Sequence, residues 1–217
     1  GRQHLDKDGI QTETYRELDP AKHLQDTGMD ISLPLDGGEL WAKVWRADIT
    51  GVSGHEVHVY FLDTFHPKNT ERHLDLGLTL YGGDDWVRIR QEYLLGVGGL
   101  RLIDKLGLDV DGLHLNEGHC TFALLEMLNR GWTREQLAKR VLFTTHTPVP
   151  AGHDRFEWEA VEEVLGDLLP PDAKQLVIDA GDPEEGRRIS MSHLAVALSG
   201  PVNAVSNLNA WVASSMF

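Results

Sequence analysis

Two short polar clusters carry the residue types that do chemistry. LHLNEGH (113–119) supplies Asn116, Glu117 and His119, and FTTHT (143–147) supplies Thr144, Thr145, His146 and Thr147. Each lies at the end of a short apolar run that reads as a strand, and the first leads straight into a helical pattern. In open parallel sheets, ligands sit outside the carboxyl ends of the strands, where loops diverge and helix N-termini offer N–H groups. If the two strands share a sheet, Glu117, His119 and His146 face one cleft. The plainer reading is that Asn116 and Gly118 merely turn the chain at a strand-to-helix junction, and that each histidine is satisfied by backbone at a sheet edge. Two clusters at equivalent places favour function.

Other motifs are weaker. His114, Glu117, His119, His146 and His153 are metal-ligand types, but HLNEGH lacks the HExxH spacing, and on a strand His114 and His119 do not share a face, so no metal is expected. GVGGL (96–100) lies inside a helical pattern and lacks the third glycine of a dinucleotide loop. Its glycines are expected to let a helix approach a neighbour. Arg88, Arg90 and Glu92 in RIRQEY read as a solvated, ion-paired helix face that also brings local positive charge.

The elements that must position these clusters are legible in outline. Residues 1–40 carry scattered charge and the turn pairs DG, DP and GG, which predicts a loop-rich arm. LWAKVWRA (40–47) and VHVYFLDT (57–64) predict two strands, the second more buried. From Asp84 to Gly107 the apolar spacing is helical, with Asp84 or Asp85 as N-cap and Gly107 as the stop. Then follow a strand in VDGLHLN, a helix over 118–129, a helix opened by Thr133 in a capping box with Gln136, and the strand VLFTT. Strands alternating with helices of this length require a parallel sheet with crossover helices, an α/β fold of Rossmann type. The expected division is residues 1–55 as an arm with an edge strand and residues 56–217 as the Rossmann-like portion.

Composition excludes some classes. With 20 Lys plus Arg against 34 Asp plus Glu, the 217-residue chain has a formal charge of -14. Nucleic acid and anionic membranes, which need a basic surface, are not expected partners. The N-terminus has no signal-peptide pattern, no apolar run has transmembrane length, and the single cysteine, Cys120, can make no internal disulfide. The chain therefore reads as soluble and cytoplasmic. It starts without methionine and stops at SSMF within a helical pattern, as expected of a segment of something longer.

LYGGD (80–84), RIRQEYLLGVGG (88–99), HLNEGH (114–119), FTTHTPVPAGHDRF (143–156) and MSHLAVALSGPVNAVSNL (191–208), in this order and spacing, closely resemble the α-glucan phosphorylases, the glycogen and starch phosphorylase family. QHLDKDGIQTETYREL (3–18) is similar to the family's shorter bacterial and archaeal branch. The resemblance implies part of the N-terminal lobe of a two-lobed GT-B glycosyltransferase. The implied reaction is reversible transfer of a glucosyl unit from an α-1,4-glucan or maltodextrin to inorganic phosphate, giving glucose 1-phosphate with retained configuration. It also implies pyridoxal phosphate, held by a lysine of the C-terminal lobe. None of the seven lysines here sits in such a motif, and the missing C-terminal lobe is an expected partner, as is a second copy in a homo-oligomer.

Position by position, His146 matches the family histidine that binds the primary hydroxyl of the glucosyl unit and turns its backbone carbonyl toward developing positive charge. Glu117 and His119 match a pair beside the same pocket, where the commoner form is LNDTH. Asp84 matches a gating loop, shortened here to GGDD. Asn203 and Asn209 are expected to be structural, and Asn116 and Thr147 to line the site. The isolated chain is expected to be inactive. Three alternatives stay open: a sugar-nucleotide-dependent GT-B enzyme, a non-catalytic carbohydrate-binding fragment using Trp41, Trp45 or Trp86, and a zinc hydrolase.

Overall fold

A computed structural model describes residues 2–14, 19–77, 84–181 and 188–217. In chain order the strands and helices are β1 (Arg2–Leu5), β2 (Gln11–Thr14), β3 (Gln25–Leu35), β4 (Gly38–Thr50), β5 (Glu56–Asp63), α1 (Glu71–Leu74), α2 (Asp85–Tyr93), α3 (Gly99–Lys105), β6 (Leu113–Asn116), α4 (Phe122–Asn129), α5 (Arg134–Arg140), β7 (Val141–Thr145), β8 (Arg155–Glu157), α6 (Trp158–Leu165), α7 (Pro171–Ala180), β9 (Arg188–Ser190), α8 (Met191–Leu198), β10 (Val202–Ala204) and α9 (Asn207–Met216). Residues 1–29 with 44–61 form one compact unit, and residues 30–43 with 62–217 form the other.

The second unit contains a parallel sheet in the order β10-β7-β6, with Asn116 opposite Thr144 and Asn203 opposite Thr144 on the other side. β7 is central and its side chains are mostly buried, as a strand flanked on both sides and covered by helices must be. The α/β reading therefore stands.

The helix at 85–105 is continuous but not uniform: a π-turn at Leu94–Gly98 separates α2 from α3. Asp84 accepts a hydrogen bond from the Val87 N–H and caps α2, and Gly107 leaves the far end with φ +66°. Gly96 lies so close to α4 that a Cβ there would meet the Ala123 nitrogen at 2.5 Å. Thr133 and Gln136 form the expected capping box.

Two expectations fail. Residues 25–40, expected to belong to the loop-rich arm, are instead β3 and the start of β4, joined by the two-residue turn Asp36-Gly37, both at positive φ as hairpin twist requires. Ile31, Leu33 and Leu35 alternate into the core, but Asp26, Gly28, Asp30 and Pro34 between and before them hide that period. The burial order of the next strands is also reversed. β4 buries Leu40, Ala42, Val44 and Trp45, whereas β5 ends the sheet order and buries none of its side chains fully.

Candidate active site at the carboxyl ends of the parallel strands

Because β6 and β7 are parallel and in register, the two polar clusters emerge side by side. The backbone continues the ladder by one bond, Glu117 N–H to the Thr144 carbonyl at 2.9 Å. Glu117 then takes φ +66° and ψ 177°, a region that costs a side-chain-bearing residue about 1–3 kcal/mol. The strain turns its carboxylate under the segment that follows β7. Its Oε1 accepts the N–H of His146, the N–H of Thr147 at 2.8 Å and the Thr145 hydroxyl at 3.1 Å. Burial alone would raise this carboxyl's pKa, but the two backbone donors and the hydroxyl outweigh it and hold the pKa below the ordinary value.

Gly118 follows because a Cβ there would lie 2.9 Å from the Ser192 hydroxyl at the start of α8. His153, 3.9 Å from the second Glu117 oxygen, reaches the same segment. Its Nε2 is 3.2 Å from the Thr147 carbonyl and its Nδ1 is 2.8 Å from the Ser192 hydroxyl. A carbonyl only accepts, so Nε2 carries the proton. The His146 imidazole, by contrast, is 43 % exposed, with Nδ1 3.7 Å from Glu117. Fixed backbone beneath and a free ring above suit a residue that contacts a ligand.

His119 lies among charged groups. Its Nδ1 is 3.3 Å from Asp154 and 3.7 Å from Glu92, and Arg88 reaches Asp154 at 2.6 Å and Glu92 at 3.4 Å. Burial, with the Asp154 carboxylate beside it, pushes the Glu92 pKa up to about 8. Hydrogen bonds to Asp154 and then Glu92 push His119 up to about 9. Burial would raise Asp154 too, but His119, Glu92 and Arg88 outweigh it and hold that carboxyl far below the usual range. At neutral pH the quartet is thus a guanidinium, an imidazolium, a carboxylate and a neutral acid. Glu92, His119 and Asp154 have metal-ligand composition, with one ligand atom each within 4.8 Å of the others, and the cation that meets Asp154 is the Arg88 side chain.

The remaining expected residues fall as follows. Asn116 ends β6 and is exposed, and Thr147 is half-buried beside His146. Asp84 is exposed at the start of α2, and the Gly82-Gly83 half of the proposed gate lies outside the described residues. His114 is not directed to a metal: its Nε2 meets the Thr144 hydroxyl at 2.6 Å, which in turn bonds to Asn203 and links the three parallel strands.

Arg88 and Glu92 are ion-paired, as expected, but not solvated, and no pattern joined them to Asp154. The i,i+4 spacing of Arg88 and Glu92 was visible, but not that both turn inward. Arg90 is buried as well, forked onto Asp36 and bonded to Glu163. These residues do not form a solvated face. The aromatic faces considered for sugar stacking are already covered. Arg72 and Arg90 lie 3.7 and 4.0 Å from the Trp86 ring centre and His73 stacks on it; Lys68 and His66 lie against Trp41, and Trp45 is buried.

No protein-family model matches the chain. Over its full length it is 34 % identical, across 233 aligned positions, to maltodextrin phosphorylase of Thermococcus litoralis, covering 27 % of that protein. It is 33 % identical across 247 positions to glycogen phosphorylase of Mycobacterium tuberculosis, again over the full chain and 28 % of that protein. The chain thus spans little more than a quarter of the length of these relatives. Among solved structures, the catalytic domain of starch synthase IV from Arabidopsis thaliana, bound to ADP and acarbose, superposes over 82 % of this chain and 33 % of its own, with a TM-score of 0.59 and 17 % identity. That likeness shows the fold, which is of the GT-B glycosyltransferase type.

Proposed function

We propose that this chain, related along its entire length to a portion of the maltodextrin and glycogen phosphorylases, carries the glucosyl-binding side of an α-glucan phosphorylase active site. The full protein would move a glucosyl unit between an α-1,4-glucan and inorganic phosphate, with glucose 1-phosphate as the product. The observation that carries this reading is His146: an exposed imidazole on a backbone clamped by a buried carboxylate, at the carboxyl end of the central parallel strand.

Glucosyl transfer passes through a transition state with oxocarbenium character at the anomeric carbon. A carbonyl dipole fixed beside that carbon stabilises the charge without reorganising during the reaction. The His146 carbonyl is offered for this role, and its imidazole for a sugar hydroxyl. The imidazolium of His119 and the Arg88 guanidinium supply local positive charge in a chain whose net charge is -14. Asn116, Thr147 and Asp84 are proposed as flanking substrate contacts.

Pyridoxal phosphate, the cofactor implied by this family, is proposed to be held by a lysine of a C-terminal lobe and not by the lysines of this chain. Lys68 lies over Trp41, Lys105 on the Asp30 carbonyl, Lys139 on Glu135 and Lys174 on Glu162, while Lys7 and Lys22 are exposed. Lys43 lies on β4. The cofactor would belong to a C-terminal lobe. Residues 56–217 are proposed as the Rossmann-like portion of the N-terminal lobe, in a cytoplasmic enzyme that assembles as a homo-oligomer.

The test is glucose 1-phosphate release from maltodextrin and phosphate by the full-length gene product, before and after His146→Ala. The expected loss is about 10²- to 10³-fold in kcat, and the 217-residue chain alone is expected to release none. Turnover that requires a sugar nucleotide instead of phosphate would replace this reading with the sugar-nucleotide enzyme.

A further inference from the structure

The structure assigns Glu117 a positioning role: we infer that its buried carboxylate sets the His146–Thr147 main chain, and through it the His146 carbonyl and imidazole, rather than touching substrate itself. This rests on the reading of His146 given above. Three observations converge on it. The carboxylate is 2 % exposed, so little of it is open to a ligand. Its Oε1 already serves three donors, two of them the successive N–H groups of the segment in question. The chain also holds Glu117 in a conformation that side-chain-bearing residues avoid, and that conformation is what directs the carboxylate under the segment after β7.

The consequence for chemistry is directional. Peptide planarity makes the orientation of the Thr147 N–H fix that of the His146 carbonyl, because both belong to one peptide group. An anionic acceptor on that N–H therefore fixes the carbonyl at its other end, and it polarises the peptide so that the carbonyl oxygen becomes more negative. Both effects matter most when positive charge develops beside the oxygen, so the cost of weakening them falls on kcat rather than on KM. His153, whose Nδ1 lies 3.9 Å from the other Glu117 oxygen, holds the next carbonyl, that of Thr147, which leaves the His146 carbonyl bracketed between two fixed peptides.

The experiment is a double-mutant cycle in the full-length enzyme with Glu117→Gln and His146→Ala, each variant first checked for a wild-type circular dichroism spectrum and a cooperative melt. Gln keeps an acceptor oxygen and the volume but not the charge. We expect E117Q to lower kcat about 10-fold or more with KM within about 2-fold, and a loss of similar size in the H146A background, because that variant keeps the main-chain carbonyl that Glu117 sets. A wild-type kcat in E117Q, a loss confined to KM, or a loss that disappears in the H146A background would each overturn the positioning of the carbonyl while leaving His146 in place. If H146A itself is silent, the reading of His146 fails instead, so the two failures are distinguishable. Should E117Q melt uncooperatively, Glu117→Met takes its place: the volume stays but charge and acceptor are both lost, and the same kcat loss is expected, with an unchanged kcat overturning the proposal.

Discussion

Glu92 shows how burial, with the Asp154 carboxylate beside it, rewrites a residue's chemistry. With its carboxyl pushed up to about 8 against an ordinary 4.5, the folded chain keeps a proton that the unfolded chain releases. Stability therefore falls as pH rises from about 4.5 to about 8. His119, held up at about 9 against 6.5, adds a second loss of the same sign between those two values. Asp154 has the opposite sign and matters only in acid, where its ion pairs are lost as pH falls. The melting temperature is expected to drop between pH 6 and 9, and to drop less in Glu92→Gln, whose amide cannot ionise. Equal slopes in the two proteins would remove Glu92 from the account. The site was half legible at this scale. His146 and Glu117 stood out because strand ends with polar clusters are visible in one sequence. Arg88 and Asp154, 66 positions apart, meet at 2.6 Å only because the fold brings the start of α2 against the exit of β7. No local pattern carries that.

Elements whose signals are local were legible, and those whose signals are shared with turns were not. The capping box at Thr133, the cap at Asp84 and the stop at Gly107 need only a few neighbouring residues. β3 needs its partner β4 to declare itself, since its alternation is interrupted by aspartates, a glycine and a proline. The glycines of the long helix were anticipated as contact points, and the structure divides them by sign. At Gly96 an added Cβ would press on the α4 backbone, 2.5 Å from the Ala123 nitrogen and 2.8 Å from the Phe122 carbonyl carbon, which cannot move aside as a side chain would. Gly96→Ala is expected to cost about 2 kcal/mol or more, since overpacking a rigid contact exceeds the helix-propensity gain. At Gly99 nothing lies within 4 Å of such a Cβ, so Gly99→Ala is expected to stabilise by about 0.5–1 kcal/mol through the unfolded state. Urea denaturation of the two single variants, three residues apart, checks both signs at once.

At the scale of the whole molecule, apolar burial is unevenly distributed between the two compact units. Among the described residues the buried core lies almost wholly in residues 30–43 and 62–217; the unit of residues 1–29 and 44–61 contributes Val44 and Trp45. Leu5, Ile10, Ile49, Val52 and Val57 of that smaller unit are all more than half exposed. At about 25 cal/mol per Å² of apolar surface, two buried side chains offset only a small part of the ordering entropy of some fifty residues. Opening of the smaller unit must therefore cost far less than global unfolding, the more so because β1, β2 and β5 each pair along one side only within their sheets. β7 lies at the other extreme, paired on both sides and buried along most of its length. Native-state hydrogen exchange at pH 7 is expected to show amides of β1 and β2 exchanging within minutes, those of Val141–Thr145 close to the global unfolding limit, and the 56–61 stretch in between. Protection of β1 and β2 equal to that of β7 would mean that the smaller unit draws stability from interactions beyond its own buried side chains.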